Sequence, residues 1–97
     1  MTNLEGKSDA LKVHYKRRDN PVEKCYTAAI ENKMPVFGLQ DGGQCFGSAD
    51  KKTAQQYGGS SGCSSGKGGA MANSVYELSK SSSLSFHLKI SCGFKAL

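Results

Sequence analysis

The sequence predicts a small disulfide-stabilised α+β module, one helix packed on a short antiparallel β-sheet, with flexible termini. Three observations carry this reading. Val36-Phe37-Gly38-Leu39-Gln40 and Gln44-Cys45-Phe46-Gly47 are short apolar runs on either side of Asp41-Gly42-Gly43, and Asp-Gly and Gly-Gly supply the positive-φ residues that tight hairpin connections require. Asn20-Pro21-Val22-Glu23 is a helix start, with Asn20 as cap, Pro21 at the first helical position and Glu23 placed to complete a capping box. Four cysteines in 97 residues, only 37% of them hydrophobic and none tryptophan, suit a domain whose core is too thin to stand without crosslinks.

In chain order, Met1 to Ala10 shows no hydrophobic period and reads as a disordered lead-in, residues 1–10. Leu11-Lys12-Val13-His14-Tyr15-Lys16 alternates, with Leu11, Val13 and Tyr15 on one side, and fits a short edge strand. The helix should run from Pro21 to about Asn32 with Val22, Cys25 and Ala29 inward, joined by Tyr26 and Ile30, and end at Asn32 or Lys33 before Met34-Pro35. Ala28 and Ala29 permit close approach to the sheet. The central hairpin follows. Its cysteine, Cys45, lies within reach of whatever packs over the sheet, and Cys25 on the preceding helix is the nearest candidate.

Beyond the hairpin, 48–57 is polar and fits one or two helical turns, and 58–69 is a Gly/Ser loop with Cys63 as its anchor. Val75-Tyr76-Glu77-Leu78 is the final strand of the module, ending it at residue 78. Residues 79–97 read as a Ser-rich linker and tail, in which Leu84, Phe86, Leu88 and Ile90 alternate as an added strand would.

The net charge of +5 gathers partly at Lys12, Lys16, Arg17, Arg18 and Lys24. Tyr15 beside Lys16-Arg17-Arg18 is only a weak version of a basic face with interleaved aromatics, so the charge reads as a solvated surface, not a nucleic-acid interface. No run approaches a membrane span. Gly66-Lys67 fails the phosphate-loop pattern at both ends, since Ser61 stands where the first glycine belongs and Gly68 follows the lysine. The cysteines are far apart and His14 and His87 isolated, so no zinc spacing is present and no metal or cofactor is expected. Cys25 near a helix N-terminus is the one cysteine with an argument for a reactive thiol, outweighed by a structural crosslink. Four cysteines allow three complete pairings.

Val22-Glu23-Lys24-Cys25, the block Phe37 to Gly47, Cys63 and Ala72-Asn73-Ser74-Val75-Tyr76-Glu77-Leu78 together resemble a WSC domain, in the reduced, Gly-rich form found in invertebrate extracellular proteins. The resemblance covers about Lys12 to Leu78, within a domain placed at residues 11–78. It departs where His14 stands in place of the opening cysteine, Ala29 in place of a second helix cysteine, and Phe46-Gly47 in place of the aromatic-Cys-Gly that follows Cys45. It implies a fold related to PAN/apple modules, no enzymatic activity, and carbohydrate binding or adhesion at the cell surface or outside the cell. With the opening cysteine absent, Cys92 becomes the substitute partner for Cys63.

On that reading the expected ligand contacts are Gln40, Asp41, Gln44 and Tyr57, with Lys67 and Asn73 from the loop side. Carboxylate, amide and hydroxyl groups bond sugar hydroxyls, and a tyrosine face covers the apolar side of the ring. The expected partner is a glycan or matrix polysaccharide. The alternative is a structural or protein-interaction fragment of a matrix protein or receptor ectodomain that binds no glycan. Met1 to Ala10 carries no apolar signal region, so an extracellular location implies a truncated or partial product.

Overall fold

The computed structural model describes residues 1–50, 52, 62–63, 66–69, 72–81 and 84–94. An α-helix, α1 (Pro21–Glu31), packs on a five-stranded antiparallel sheet built from β1 (Thr2–Asn3), β2 (Val36–Gln40), β3 (Gln44–Ser48), β4 (Ala72–Ser81) and β5 (Leu84–Phe94). The spatial order is β1-β3-β2-β4-β5. The hairpin predicted from Asp41-Gly42-Gly43 is therefore the centre of the sheet, and β2 is buried along its whole length. Asp41, Gly42 and Gly43 all take positive φ, at 50°, 86° and 152°, which is why two of the three are glycine.

Helix α1 begins at Pro21 as expected, but Asn20 sits in left-handed conformation at φ 49° and its side chain makes no cap hydrogen bond. Its carbonyl instead accepts from the Lys24 N–H at 3.1 Å. Pro21, Cys25, Ala28 and Ala29 form the buried stripe, the i, i+4, i+7, i+8 spacing of one helix face. Ile30, expected inward, is 45% exposed. Lys33 at φ 58° turns the chain out of the helix.

Phe37 and Leu39 on β2 alternate toward α1 and meet Cys25, Ala28, Ala29, Cys45 and Tyr76 in one core. Phe37 stacks on Tyr76 with ring centroids 5.0 Å apart and planes 8° from parallel. Cys25 and Cys45 are disulfide-bonded with Cα atoms 5.4 Å apart, so α1 is fastened to β3 in the middle of this core. Val36 and Val75 lie on the opposite face with Met1 packed against them.

Three expectations are corrected. Residues 1–10 are no disordered lead-in: Thr2 and Asn3 pair with Gly47 and Phe46, and Leu4 is fully buried. Gly47 makes room for them, because a Cβ there would lie 2.7 Å from Met34 Cγ and 3.1 Å from Leu4 Cδ1.

The run from Leu11 to Lys16 is not an edge strand but two 3₁₀ turns, Asp9–Leu11 and Tyr15–Arg17. The carbonyls of Leu11 and Val13, which a strand would give to a ladder, accept instead from the Arg18 guanidinium.

The module does not end at residue 78 in a linker. β4 continues through Ser79 to Ser81 and pairs with β5 along its length, so the alternating tail is a strand of the same sheet. Most of 48–57, expected as helical turns, and much of the 58–69 loop lie outside the described residues.

Candidate functional site

The central hairpin decides where the candidate residues stand. Gln40 at the end of β2 pairs with Gln44 on β3 and with Asn73 on β4. The 66–69 segment closes on the same end: Asp41 N–H donates to the Gly69 carbonyl at 3.0 Å and Gly42 N–H to the Lys67 carbonyl at 3.1 Å. Gly68 permits that approach, since at φ +75° it lies so near β2 that a Cβ would meet the Leu39 carbonyl oxygen at 2.0 Å. Gly68 N–H also reaches Ser74 Oγ at 3.0 Å, and Tyr76 donates its hydroxyl to the Gly66 carbonyl at 2.8 Å. Gln40, Asp41, Gln44, Lys67 and Asn73 thus come to one end of the sheet. Tyr57 lies outside the described residues.

These residues do not share one shallow surface. Gln40 is 0% and Asn73 1% exposed, so neither amide meets a ligand from outside, contrary to expectation. Both lie on the sheet face turned away from α1, where the Asn73 carboxamide covers Gly38 and its nitrogen donates to Met1 Sδ at 3.1 Å. Both polar atoms of the Gln40 side chain and Asn73 Oδ1 are buried without a hydrogen-bond partner. Asp41, Gln44 and Lys67 are half-buried and form the accessible part.

The structure adds two residues to this end. Tyr15 donates its hydroxyl to Asp41 Oδ2 at 3.1 Å, and its ring stacks on His14 with centroids 4.6 Å apart. The bond to Asp41 raises the phenol pKa above its usual value, helped by burial and by the negative charges of Asp41 and Glu5.

Arg18, read from the sequence as part of a solvated charge run, is instead buried. Its Nη1 donates to the Gly43 carbonyl at 3.1 Å, and its two Nη atoms grip both carboxylate oxygens of Glu5 at 2.9 and 2.6 Å. Glu5 Oε2 also accepts from the Cys45 N–H at 2.9 Å. The turn is therefore held from beneath by one ion pair. Sequence reasoning placed Tyr15 on a strand and Arg18 in water because nothing local marks a long-range pair.

Chemically, the accessible part of this end offers a stacked aromatic pair, a carboxylate, an amide and a lysine. A carboxylate has lone pairs to spare after one hydrogen bond. Among the described residues no three His, Cys, Asp or Glu side chains gather to hold a metal, and no helix is long and apolar enough to cross a membrane. All four cysteines are paired, the second bond joining Cys63 to Cys92. Cys25, weighed as a reactive thiol, is consumed in the helix-to-sheet bond.

Fold and hairpin end define a two-disulfide α+β module with a polar, aromatic-edged tip. Comparison with protein-family models, with curated proteins and with solved structures finds no match.

Proposed function

We propose that this chain is a non-catalytic extracellular module of the WSC-like kind that binds glycan at its hairpin end. The observation that carries the reading is the His14–Tyr15 ring stack hydrogen-bonded to Asp41, at the turn that also brings Gln44 and Lys67 to the same tip. Sugar rings present alternating hydroxyls and a C–H face. A flat aromatic covers the face while carboxylate, amide and ammonium groups bond the hydroxyls. Two disulfides suit an oxidising compartment.

Titration of the ¹⁵N-labelled protein with oligosaccharides, after an array has selected them, tests the reading. Chemical-shift changes are expected at His14, Tyr15, Asp41, Gln44 and Lys67, and Tyr15→Ala should bind about tenfold more weakly, a loss of ~1.4 kcal/mol. No array signal above the Tyr15→Ala control, with binding to a purified protein instead, would favour a structural or protein-interaction fragment.

A further inference from the structure

We propose that the Cys63–Cys92 bond is a thiol–disulfide exchange site, opened by a dithiol reductant while Cys25–Cys45 stays closed, and that its opening loosens the hairpin end. The two bonds differ in access. Cys25 and Cys45 are each 0% exposed, enclosed between helix and sheet, whereas Cys63 and Cys92 are both half-buried. An attacking thiolate must reach a sulfur, so the enclosed bond waits for unfolding and the half-buried one does not.

The two bonds also differ in what they hold. Cys25–Cys45 joins two core elements. Cys63–Cys92, closing a separation of 29 residues, joins the loop before β4 to the edge strand β5, with Cys92 opposite Ser74 in the β4–β5 register. Ser74 is the residue whose Oγ receives Gly68 N–H. The staple therefore fixes the start of the segment that closes on the turn through the Gly69 and Lys67 carbonyls. Without it the described part of that segment keeps the hydrogen bonds of Gly66, Lys67, Gly68 and Gly69 but loses its covalent anchor.

In the reaction one thiolate of the reductant attacks a sulfur of the pair, forming a mixed disulfide and releasing the other cysteine as thiolate. The second thiol of the reductant then displaces the protein sulfur. Two electrons and two protons pass to Cys63 and Cys92, and the reductant leaves as a cyclic disulfide. The inference needs no ligand at the tip and stands apart from the glycan reading.

The test uses dithiothreitol titrated under native conditions, alkylation of released thiols, and peptide mapping, followed by hydrogen exchange on the alkylated protein. Label is expected on Cys63 and Cys92 at reductant concentrations that leave Cys25 and Cys45 unlabelled. The Asp41 and Gly42 amides should then exchange at least about tenfold faster, while core amides of β2 stay protected. A Cys63→Ser/Cys92→Ser variant should show the same fast exchange without reductant. Simultaneous labelling of all four cysteines would overturn the selectivity, and unchanged exchange at Asp41 and Gly42 in the opened protein would overturn the coupling.

Discussion

Arg18→Ala is expected to destabilise the protein by about 3–5 kcal/mol, the cost of breaking a buried ion pair from one side. The Arg18 side chain is fully enclosed and that of Glu5 is 22% exposed. Its removal leaves the Glu5 carboxylate without its cation. The carbonyls of Leu11, Val13 and Gly43 lose their donors in the same step. Since small domains are stable by only about 5–15 kcal/mol, the variant should lose a substantial share of its margin and unfold at a markedly lower urea concentration. Arg18→Lys should restore little, because an ammonium cannot reproduce the planar fork that reaches Glu5 and three carbonyls together. Urea titration of the three proteins checks this, and a loss below about 1 kcal/mol, the range of exposed pairs, would contradict it.

Replacing Cys25 and Cys45 together by alanine should cost about 3 kcal/mol, the loop-closure entropy of a link across 20 residues. Loss of sulfur volume from a dry core adds to it. Its effect should not add simply to that of Arg18→Ala. Glu5, held by Arg18, also accepts the Cys45 N–H, so the two sites share a partner and a double-mutant cycle should show coupling. Denaturation midpoints of the single-site, double-cysteine and combined variants measure it, and strict additivity would contradict the shared partner.

Local chemistry made much of this fold legible. Pro21 before a helical run, and Asp41-Gly42-Gly43 between two apolar runs, each name a conformation that few other residues adopt, and both elements stand where that chemistry puts them. The α1-to-β3 crosslink followed from their neighbourhood. What stayed hidden depends on distant partners. Leu4 reads as a lone apolar residue until Gly47 leaves it a place. Leu11 to Lys16 alternates like a strand, yet Arg18 takes its carbonyls, and side-chain competition for backbone acceptors leaves no mark in the hydrophobic pattern. The site divides in the same way: Asp41 and Gln44 were visible from the turn, whereas Gln40 and Asn73 proved buried because β2 is covered on both faces.

The seating of α1 on β3 and of the loop on β5 rests on how the four cysteines are joined, and peptide mapping of the unreduced, oxidatively expressed protein tests that most directly. Peptides linking Cys25 to Cys45 and Cys63 to Cys92 are expected, and no others. A Cys25–Cys63 or Cys25–Cys92 link, or four free thiols, would contradict the account. A Cys25–Cys63 link would draw the loop onto the helix in place of β3, a Cys25–Cys92 link would set β5 there, and four free thiols would leave a thin core with no staple between α1 and the sheet.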